Sequence, residues 1–263
     1  MIDEIRLKEI SKLFGMRPWQ QEKHYLQSLI LSIISDLPLV FKDGTYLWMF
    51  HGLNRFSEDL DFTSRGNFRE DFPEFVSRSI RLYGYENKIK IVKNNELGTS
   101  VRFMIEGPLH KNDKNRCTIY VEISGREKAV LPGIPLKLDF PQYDIPVKIL
   151  SGMNLDEVGS EKVRAILTRE KARDIFDLYF LIRQKEIKLD TELINKKLTY
   201  YGKRFDSNQF MQELKSRGSL YSKTSKPLVF GEMPDFDEVV SCVGKWVNRG
   251  PINGISKGKD RSD

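Results

Sequence analysis

Two aspartates, Asp59 and Asp61, stand two residues apart in the stretch SEDLDF, with Leu60 and Phe62 beside them. DLDFT (59–63) alternates as a strand does, and side chains two apart on a strand point to the same face. Neighbouring carboxylates repel each other unless a cation lies between them, and carboxylate oxygens suit Mg²⁺. The pair therefore indicates either a metal site or, as a lone Asp-x-Asp more commonly does, an edge strand that carries acids for solubility.

A third acid for such a site is offered by CTIYVEIS (117–124). Its apolar residues alternate with Thr118, Tyr120 and Glu122, which predicts a strand with Glu122 on the polar face. Two-metal phosphoryl-transfer sites need further ligands from neighbouring strands, and Glu122 is our first candidate. Asp139 in LKLDF is the weaker candidate, because prolines crowd that segment. Taken alone, Glu122 fits an exposed position on a one-sided sheet equally well.

A glycine turn, Gly44-Thr45, precedes the acid pair. It follows LVFK (39–42), a predicted strand, and opens a predicted short helix that ends at Gly52. A glycine there lets backbone N–H groups approach an anion, and the helix N-terminus adds partial positive charge. The passage predicts a phosphate cradle, although by itself it is also typical of a plain turn.

The elements that would position these residues follow from periodicity and breakers. Helices are predicted over 19–36 and 70–82, and strands over 87–93, 100–106 and 117–124. A helix-rich stretch, 154–184, is predicted to break near 168–171, and further helices are predicted over 190–198, 206–216 and 235–247. We therefore expect an α+β fold, with a mixed sheet and flanking helices in domain 1–145, a helical domain at 146–250 and a disordered tail at 251–263.

Composition limits the functional classes. The chain has 263 residues, 30% of them charged, and a net charge of +6, a mild excess that permits a polyanionic partner without establishing one. Two widely spaced cysteines and a charged N-terminal stretch without a signal peptide favour a reducing, cytoplasmic location. The longest apolar run, near residues 26–41, is interrupted by serines and Asp36, so we expect no membrane association.

Two segments together resemble a known family. FKDGTYLWMFHGLNRFSEDLDF closely resembles the signature of AbiEii/AbiGii-type toxin nucleotidyltransferases, which belong to the DNA polymerase β-like superfamily. DEVGSEKVRAILTREKARDIFDLYFLI is similar to the family's helical block. The resemblance spans roughly residues 39–183. The matching positions are Gly44, Thr45, Arg55, Phe56, Ser57, Asp59, Asp61, Glu161, Lys162, Ala165, Arg169, Arg173, Asp174, Asp177 and Leu178.

The resemblance implies a nucleotidyltransferase fold and transfer of an NMP from an NTP to an acceptor hydroxyl. Asp59, Asp61 and Glu122 would hold Mg²⁺ or Mn²⁺, and Glu122 could also act as general base. Gly44, Thr45 and Ser57 would contact phosphates. The resemblance also implies an acceptor that could be RNA, including tRNA, or protein, and a cognate antitoxin as partner.

The helical block would supply positive charge for the same reaction. If 161–178 were one helix, Lys162, Arg169 and Arg173 would lie within roughly 40° of each other and could clamp the triphosphate. Asp174 would position Lys162 or the nucleotide. The alternative is a helix surface laced with salt bridges.

One position departs from the family pattern, because Asp43 stands where the first glycine of a Gly-Gly pair is expected. A carboxylate beside a phosphate cradle should repel a triphosphate, so a catalytically inactive nucleotide- or RNA-binding relative is the alternative function. A metal-dependent nuclease is disfavoured, because one large class of these enzymes needs a lysine two residues after the strand acid, where this chain has Ser124.

Overall fold

The computed structural model describes residues 2–66 and 70–249, so the predicted disordered tail lies outside the described residues. The described residues form two compact units. The first unit runs to Asn154 and also includes Leu228–Glu232, and the second comprises Leu155–Pro227 and the described residues from Met233 onward.

The first unit is built on one mixed sheet of seven strands. The strands, β1 to β7 in chain order, are Leu39–Lys42, Leu60–Ser64, Asn87–Asn95, Gly98–Ile105, Cys117–Ser124, Ile134–Leu138 and Lys148–Gly152. Four helices accompany them, α1 to α4: Glu4–Leu13, Pro18–Ile33, Asp43–His51 and Phe72–Leu82. The order across the sheet is β3-β4-β5-β2-β1-β7-β6. The expected α+β class with a mixed sheet is confirmed.

The centre of the sheet contains both parallel and antiparallel neighbours. β2 is antiparallel to β1 and parallel to β5, while β1 is parallel to β7. One face of this region is apolar and buried, since every second residue of β5 from Cys117 to Ile123 is inaccessible to solvent. Helix α2 packs against β5 and α4 against β3, which gives these alternating apolar residues a core and leaves their polar neighbours on the opposite face.

Helix α3 follows β1 without a loop. Its first residue, Asp43, adopts a left-handed φ of 66°, and its C-cap, Gly52, is left-handed at φ 79° with its N–H bonded to the carbonyl of Leu47. Glycine tolerates this conformation without a Cβ penalty, which explains why the helix ends where the sequence predicted.

The second unit is helical. Its helices, α5 to α10, are Leu155–Thr168, Arg173–Lys185, Thr191–Leu198, Ser207–Ser216, Gly218–Ser225 and Phe236–Asn248. The break near 168–171 occurs as predicted, between α5 and α6. The assumption of a single helix over 161–178 is therefore wrong, and with it the argument that placed Lys162, Arg169 and Arg173 on one helical stripe.

Two strands and two helices were missed. β6 and β7 lie in a segment whose prolines indicated connections, yet Pro135 is accommodated in β6, a strand at the edge of the sheet where one backbone N–H needs no partner. Because β7 completes the sheet, the first unit extends to Asn154, whereas the sequence favoured a boundary at 145. Helices α1 and α9 were also not predicted. Within the described ranges, every helix is too short or too polar to cross a bilayer.

Candidate active site

The acid pair and Glu122 meet in the middle of the sheet. β2 begins at Leu60, so Asp59 immediately precedes the strand and Asp61 is its second residue. The parallel register of β2 and β5 sets Asp61 beside Glu122, and the antiparallel register of β1 sets Lys42 on its other side. Paired residues of neighbouring strands share a face, with Cβ atoms about 5 Å apart. The sheet thus brings together the three predicted metal ligands.

The electrostatic environment of Asp61 disfavours its charged form. Burial raises the pKa of Asp61 well above its usual range, and the carboxylates of Asp43, Asp59 and Glu122 raise it further, while Lys42 lowers it. Carboxylates that crowd one another in this way cost free energy in the absence of a cation. The arrangement is what a site for a positively charged ligand requires.

Glu122 keeps access to solvent. Its side chain is 37% exposed, and Arg126, four residues later, places a guanidinium nitrogen 3.5 Å from one carboxylate oxygen. A partly exposed pair of this kind exchanges readily with other partners. The weaker candidate, Asp139, follows β6 at the far edge of the sheet and pairs with Lys137 at 2.6 Å, so it does not belong to this cluster.

Gly44 and Ser57 also lie close together. A Cβ on Gly44 would clash with the guanidinium of Arg55 and lie 2.8 Å from the Ser57 hydroxyl, so a larger residue would have to displace these side chains. Ser57 precedes β2 by three residues and so lies outside the strand. It nevertheless adjoins the predicted cradle through Gly44.

Thr45 has a structural task. Its buried hydroxyl donates a hydrogen bond to the backbone carbonyl of Asp59, which ties the start of α3 to the start of β2. This bond holds Asp59 beside Asp61. The direct contact of Thr45 with a phosphate stays a prediction.

Three basic residues near the acids were not given a role by sequence reasoning: Lys42, Arg55 and Arg126. Lys42 and Arg55 are buried, and one Arg55 nitrogen donates to the carbonyl of Phe56 at 3.1 Å. Arg55 stood inside the matched motif, and a charged residue between Leu53 and Phe56 was the available signal. Arg126 follows Glu122 by only four residues, whereas Lys42 carries no local signal, because its place beside Asp61 depends on strand pairing.

The predicted residues of the helical block form a cluster inside the second unit. The Lys162 ammonium lies 3.0 Å from Asp174 and 2.7 Å from Asp177, and all three side chains are at most 3% exposed. Arg169 donates two hydrogen bonds to Asp174, at 2.8 and 2.9 Å. Arg173 opens α6 and is half-buried. Asp174 thus contacts both Lys162 and Arg169, and its role in positioning Lys162 or the nucleotide stays a prediction.

The donor chemistry of the first unit fits a hard divalent cation. Asp59, Asp61 and Glu122 offer only carboxylate oxygens, the ligands preferred by Mg²⁺ and Mn²⁺. Burial and three neighbouring carboxylates raise the pKa of Asp61, and a bound cation would offset both effects. These residues could hold such an ion and orient a triphosphate bound to it.

Comparisons with known proteins identify a family and a shared fold. A family model described as "Nucleotidyl transferase AbiEii toxin, Type IV TA system" matches residues 25–242. No curated protein sequence matches the chain significantly.

Two solved structures share the fold. MenT4, a nucleotidyltransferase toxin from Mycobacterium tuberculosis H37Rv, is 18% identical with a TM-score of 0.65, and the match covers 91% of this chain and 87% of that one. JHP933 from Helicobacter pylori is 21% identical with a TM-score of 0.58, covering 88% and 90%.

Proposed function

The chain belongs to the AbiEii family of nucleotidyl transferase toxins of type IV toxin–antitoxin systems, and we propose that it transfers an NMP from an NTP to an acceptor hydroxyl with the help of Mg²⁺ or Mn²⁺. The observation that carries the proposal is the Asp61–Glu122 pair, with Asp59 beside it and the pKa of Asp61 raised. The family membership supports the reaction class, and the three carboxylates support the location of the active site.

The three acids of the first unit have distinct proposed roles in this reaction. Asp59 and Asp61 hold the cation and the triphosphate that it binds, and Glu122 faces the acceptor. The cation, when bound, neutralises the phosphates and lowers the pKa of the acceptor hydroxyl. Glu122 accepts the hydroxyl proton as the acceptor oxygen bonds to the α-phosphorus, the α–β phosphoanhydride bond breaks and pyrophosphate leaves.

The cluster of the second unit is proposed, from the family resemblance, to contact nucleotide phosphates. Lys162 and Arg169 would contact phosphate oxygens, Asp174 would hold both cations in place, and Arg173 would add charge at the start of α6.

The test is Asp61→Asn, with Asp139→Asn as a matched control at an exposed acid outside the site. We expect Asp61→Asn to lower Mn²⁺ affinity by more than about 100-fold and to abolish transfer from labelled NTPs to total RNA or to protein. Its melting temperature should stay the same or rise, because a crowded carboxylate is removed. Retained transfer by a folded Asp61→Asn protein would overturn the assignment.

The second candidate function, an inactive nucleotide- or RNA-binding relative, is favoured by one observation. Asp43 places an extra carboxylate beside Asp61, and repulsion by Asp43 is the largest charge effect on that residue. Wild-type protein that binds NTP but transfers nothing, with all four NTPs and with either Mg²⁺ or Mn²⁺, would establish this alternative. A cognate antitoxin and a cytoplasmic location follow from the family by analogy and remain proposals.

A further inference from the structure

A small cleft lies in the first unit, away from the candidate active site. Its lining includes Gln21 and His24 of α2, the helix that packs against the apolar face of the sheet, opposite to the acids. The volume of the cleft is about 280 Å³. Because an apolar cavity of about 150 Å³ holds a benzene ring, this cleft has room for a flat molecule of one or two rings.

The wall of the cleft is apolar and largely aromatic. Its apolar residues are half-buried or exposed, so their side chains are open to a ligand: Phe14, Met16, Trp48, Met49 and Phe140. Aromatic molecules pack edge to face or offset on such rings, and the flexible thioethers of methionine adapt to their outline. The wall therefore favours a flat aromatic occupant.

Among the described residues, no side chain that lines the cleft is charged at neutral pH. The polar members of the lining are Gln21, His24 and Gln142. Burial lowers the pKa of His24 to about 4, so its imidazole is neutral, and its Nδ1 atom lies 2.7 Å from the Tyr143 hydroxyl. A charged ligand would lose its hydration in the cleft without meeting a counter-charge, which costs free energy. The lining therefore selects an uncharged ligand.

One polar group of the lining is buried and unpartnered. Gln21 is 1% exposed, and its amide nitrogen donates a hydrogen bond to the Tyr143 hydroxyl. Within residues 2–66 and 70–249, the carbonyl oxygen of the same amide has no hydrogen-bond partner. A buried acceptor without a donor costs free energy, and a ligand that donates to it recovers that cost. This oxygen marks the polar end of the ligand.

We propose that the cleft binds a small, uncharged aromatic molecule with one N–H or O–H donor, whose rings pack against Trp48 and Phe140 and whose donor bonds to the Gln21 carbonyl oxygen. Four observations define this class: the volume, the aromatic wall, the uncharged lining and the unpartnered acceptor. The proposal adds a second binding site to the first unit, and it does not depend on the proposed transfer reaction.

A pair of probes tests the class of ligand. Indole has fused rings that fit the volume and a single N–H donor, whereas benzofuran has the same outline with an oxygen in place of the N–H. Binding of each to the full chain is measured by calorimetry, without NTP or metal. We expect indole to bind about tenfold more tightly than benzofuran, because only indole donates to the buried acceptor. Equal affinities would overturn the assigned donor.

Substitution of the acceptor gives the matching test in the protein. Gln21→Met removes the amide and keeps an unbranched side chain of similar length. We expect this variant to lose about tenfold in indole affinity and nothing in benzofuran affinity, so that the preference disappears. Gln184→Met, at an exposed glutamine on α6, is the matched control and should bind both probes like wild type. A folded Gln21→Met protein that still prefers indole would contradict the role of Gln21.

The position of the probe is tested by filling the cleft. Met16→Trp and Met49→Trp each add a ring, one from the connection before α2 and one from α3, and each should weaken indole binding at least about tenfold while the melting temperature confirms folding. In wild type, indole should shift the side-chain N–H resonance of Trp48 and leave that of Trp246, in the second unit, unchanged. Unchanged affinity in both folded variants, a shift of Trp246 alone, or no binding of indole at millimolar concentration would overturn the site.

Discussion

Asp43 combines an unusual backbone with an unusual charge. Its left-handed φ of 66° is the conformation that glycine adopts freely and that other residues adopt at a cost, with aspartate and asparagine among the more tolerant. The glycine that the family pattern expects here therefore has a conformational reason. Aspartate preserves the backbone path and adds a carboxylate that raises the pKa of Asp61.

Three substitutions at this position separate backbone from charge. Asp43→Gly and Asp43→Asn both remove the carboxylate, and we expect each to tighten NTP binding in the presence of Mg²⁺ by up to about tenfold, measured by calorimetry. Asp43→Ala also removes the charge but should be about 1 kcal/mol less stable than Asp43→Gly in urea unfolding, because of its Cβ at positive φ.

The pattern among the variants decides the cause. Tighter binding by Asp43→Gly alone would point to the backbone. Weaker binding by both Asp43→Gly and Asp43→Asn would mean that the carboxylate supports the bound nucleotide, and the proposed repulsion would be wrong.

The alternation of apolar and polar residues was sufficient to identify the three acids as candidates, but it could not show that they lie close together. Asp59, Asp61 and Glu122 followed from apolar residues at every second position. That Asp61 pairs with Glu122, and that Lys42 lies on its other side, depends on β2 lying between β1 and β5. Strand order is a property of the folded sheet, so no window of the sequence could have shown that Lys42 lies beside Asp61.

At the scale of elements, helices and strands with strong periodicity were predicted well, whereas prolines were wrongly taken to exclude strands. α3 and β5 occur where alternation, periodicity and breakers placed them. β6 and β7 were missed because the prolines in and around the edge strand β6 were interpreted as marks of connecting loops. The break between α5 and α6 was predicted, yet its consequence was not: Arg169, in the connection, reaches Asp174 on the next helix.

A second buried ionic group joins α5 to α7. The Lys197 ammonium lies 2.6 Å from Glu157 and 3.1 Å from Glu161, and its side chain is 1% exposed. Burial acts to lower the pKa of Lys197, but the two glutamates outweigh burial and raise it. One cation thus lies against two buried carboxylates and offsets their charge.

Removing this cation should loosen the contact between the two helices. We expect Lys197→Met to lower the free energy of unfolding by about 3–5 kcal/mol, because breaking a buried pair leaves uncompensated charge. The matched control is Lys196→Met, because Lys196 pairs with Glu192 at the surface. The urea midpoint of this variant should equal that of wild type.

A double variant separates the electrostatic contribution of Lys197 from its packing. Lys197→Met combined with Glu157→Gln should recover part of the lost stability, since one uncompensated carboxylate is removed. If Lys197→Met proved as stable as Lys196→Met, the group would contribute packing and little electrostatic stability.

At the scale of the whole molecule, the net charge of +6 permitted a polyanionic partner without establishing one. Folding places part of this charge on the outer strands of the sheet, where Lys88, Lys90 and Arg102 are exposed. The fold is shared with proteins of only 18–21% identity. The architecture therefore tolerates wide sequence divergence.

The dependence of overall stability on pH should reflect His24. This histidine is buried on α2 among Trp48, Phe140 and Tyr143, with its Nδ1 atom 2.7 Å from the Tyr143 hydroxyl. Burial lowers the pKa of His24 from 6.5 to about 4. Between these two values the unfolded chain binds a proton at this position and the folded chain does not, so acid favours unfolding.

We expect this residue to contribute a loss of about 3 kcal/mol as pH falls from 6.5 to about 4, with full stability above 6.5 and no further loss below 4. Since the raised pKa of Asp61 acts in the opposite direction, the comparison is between wild type and His24→Gln, which does not titrate. Urea unfolding at pH 7, 6 and 5 should give a shallower pH dependence for His24→Gln than for wild type, even if the variant is less stable throughout. Parallel curves would show that His24 is protonated as readily in the folded chain as in the unfolded one, and acid unfolding would then arise from other groups.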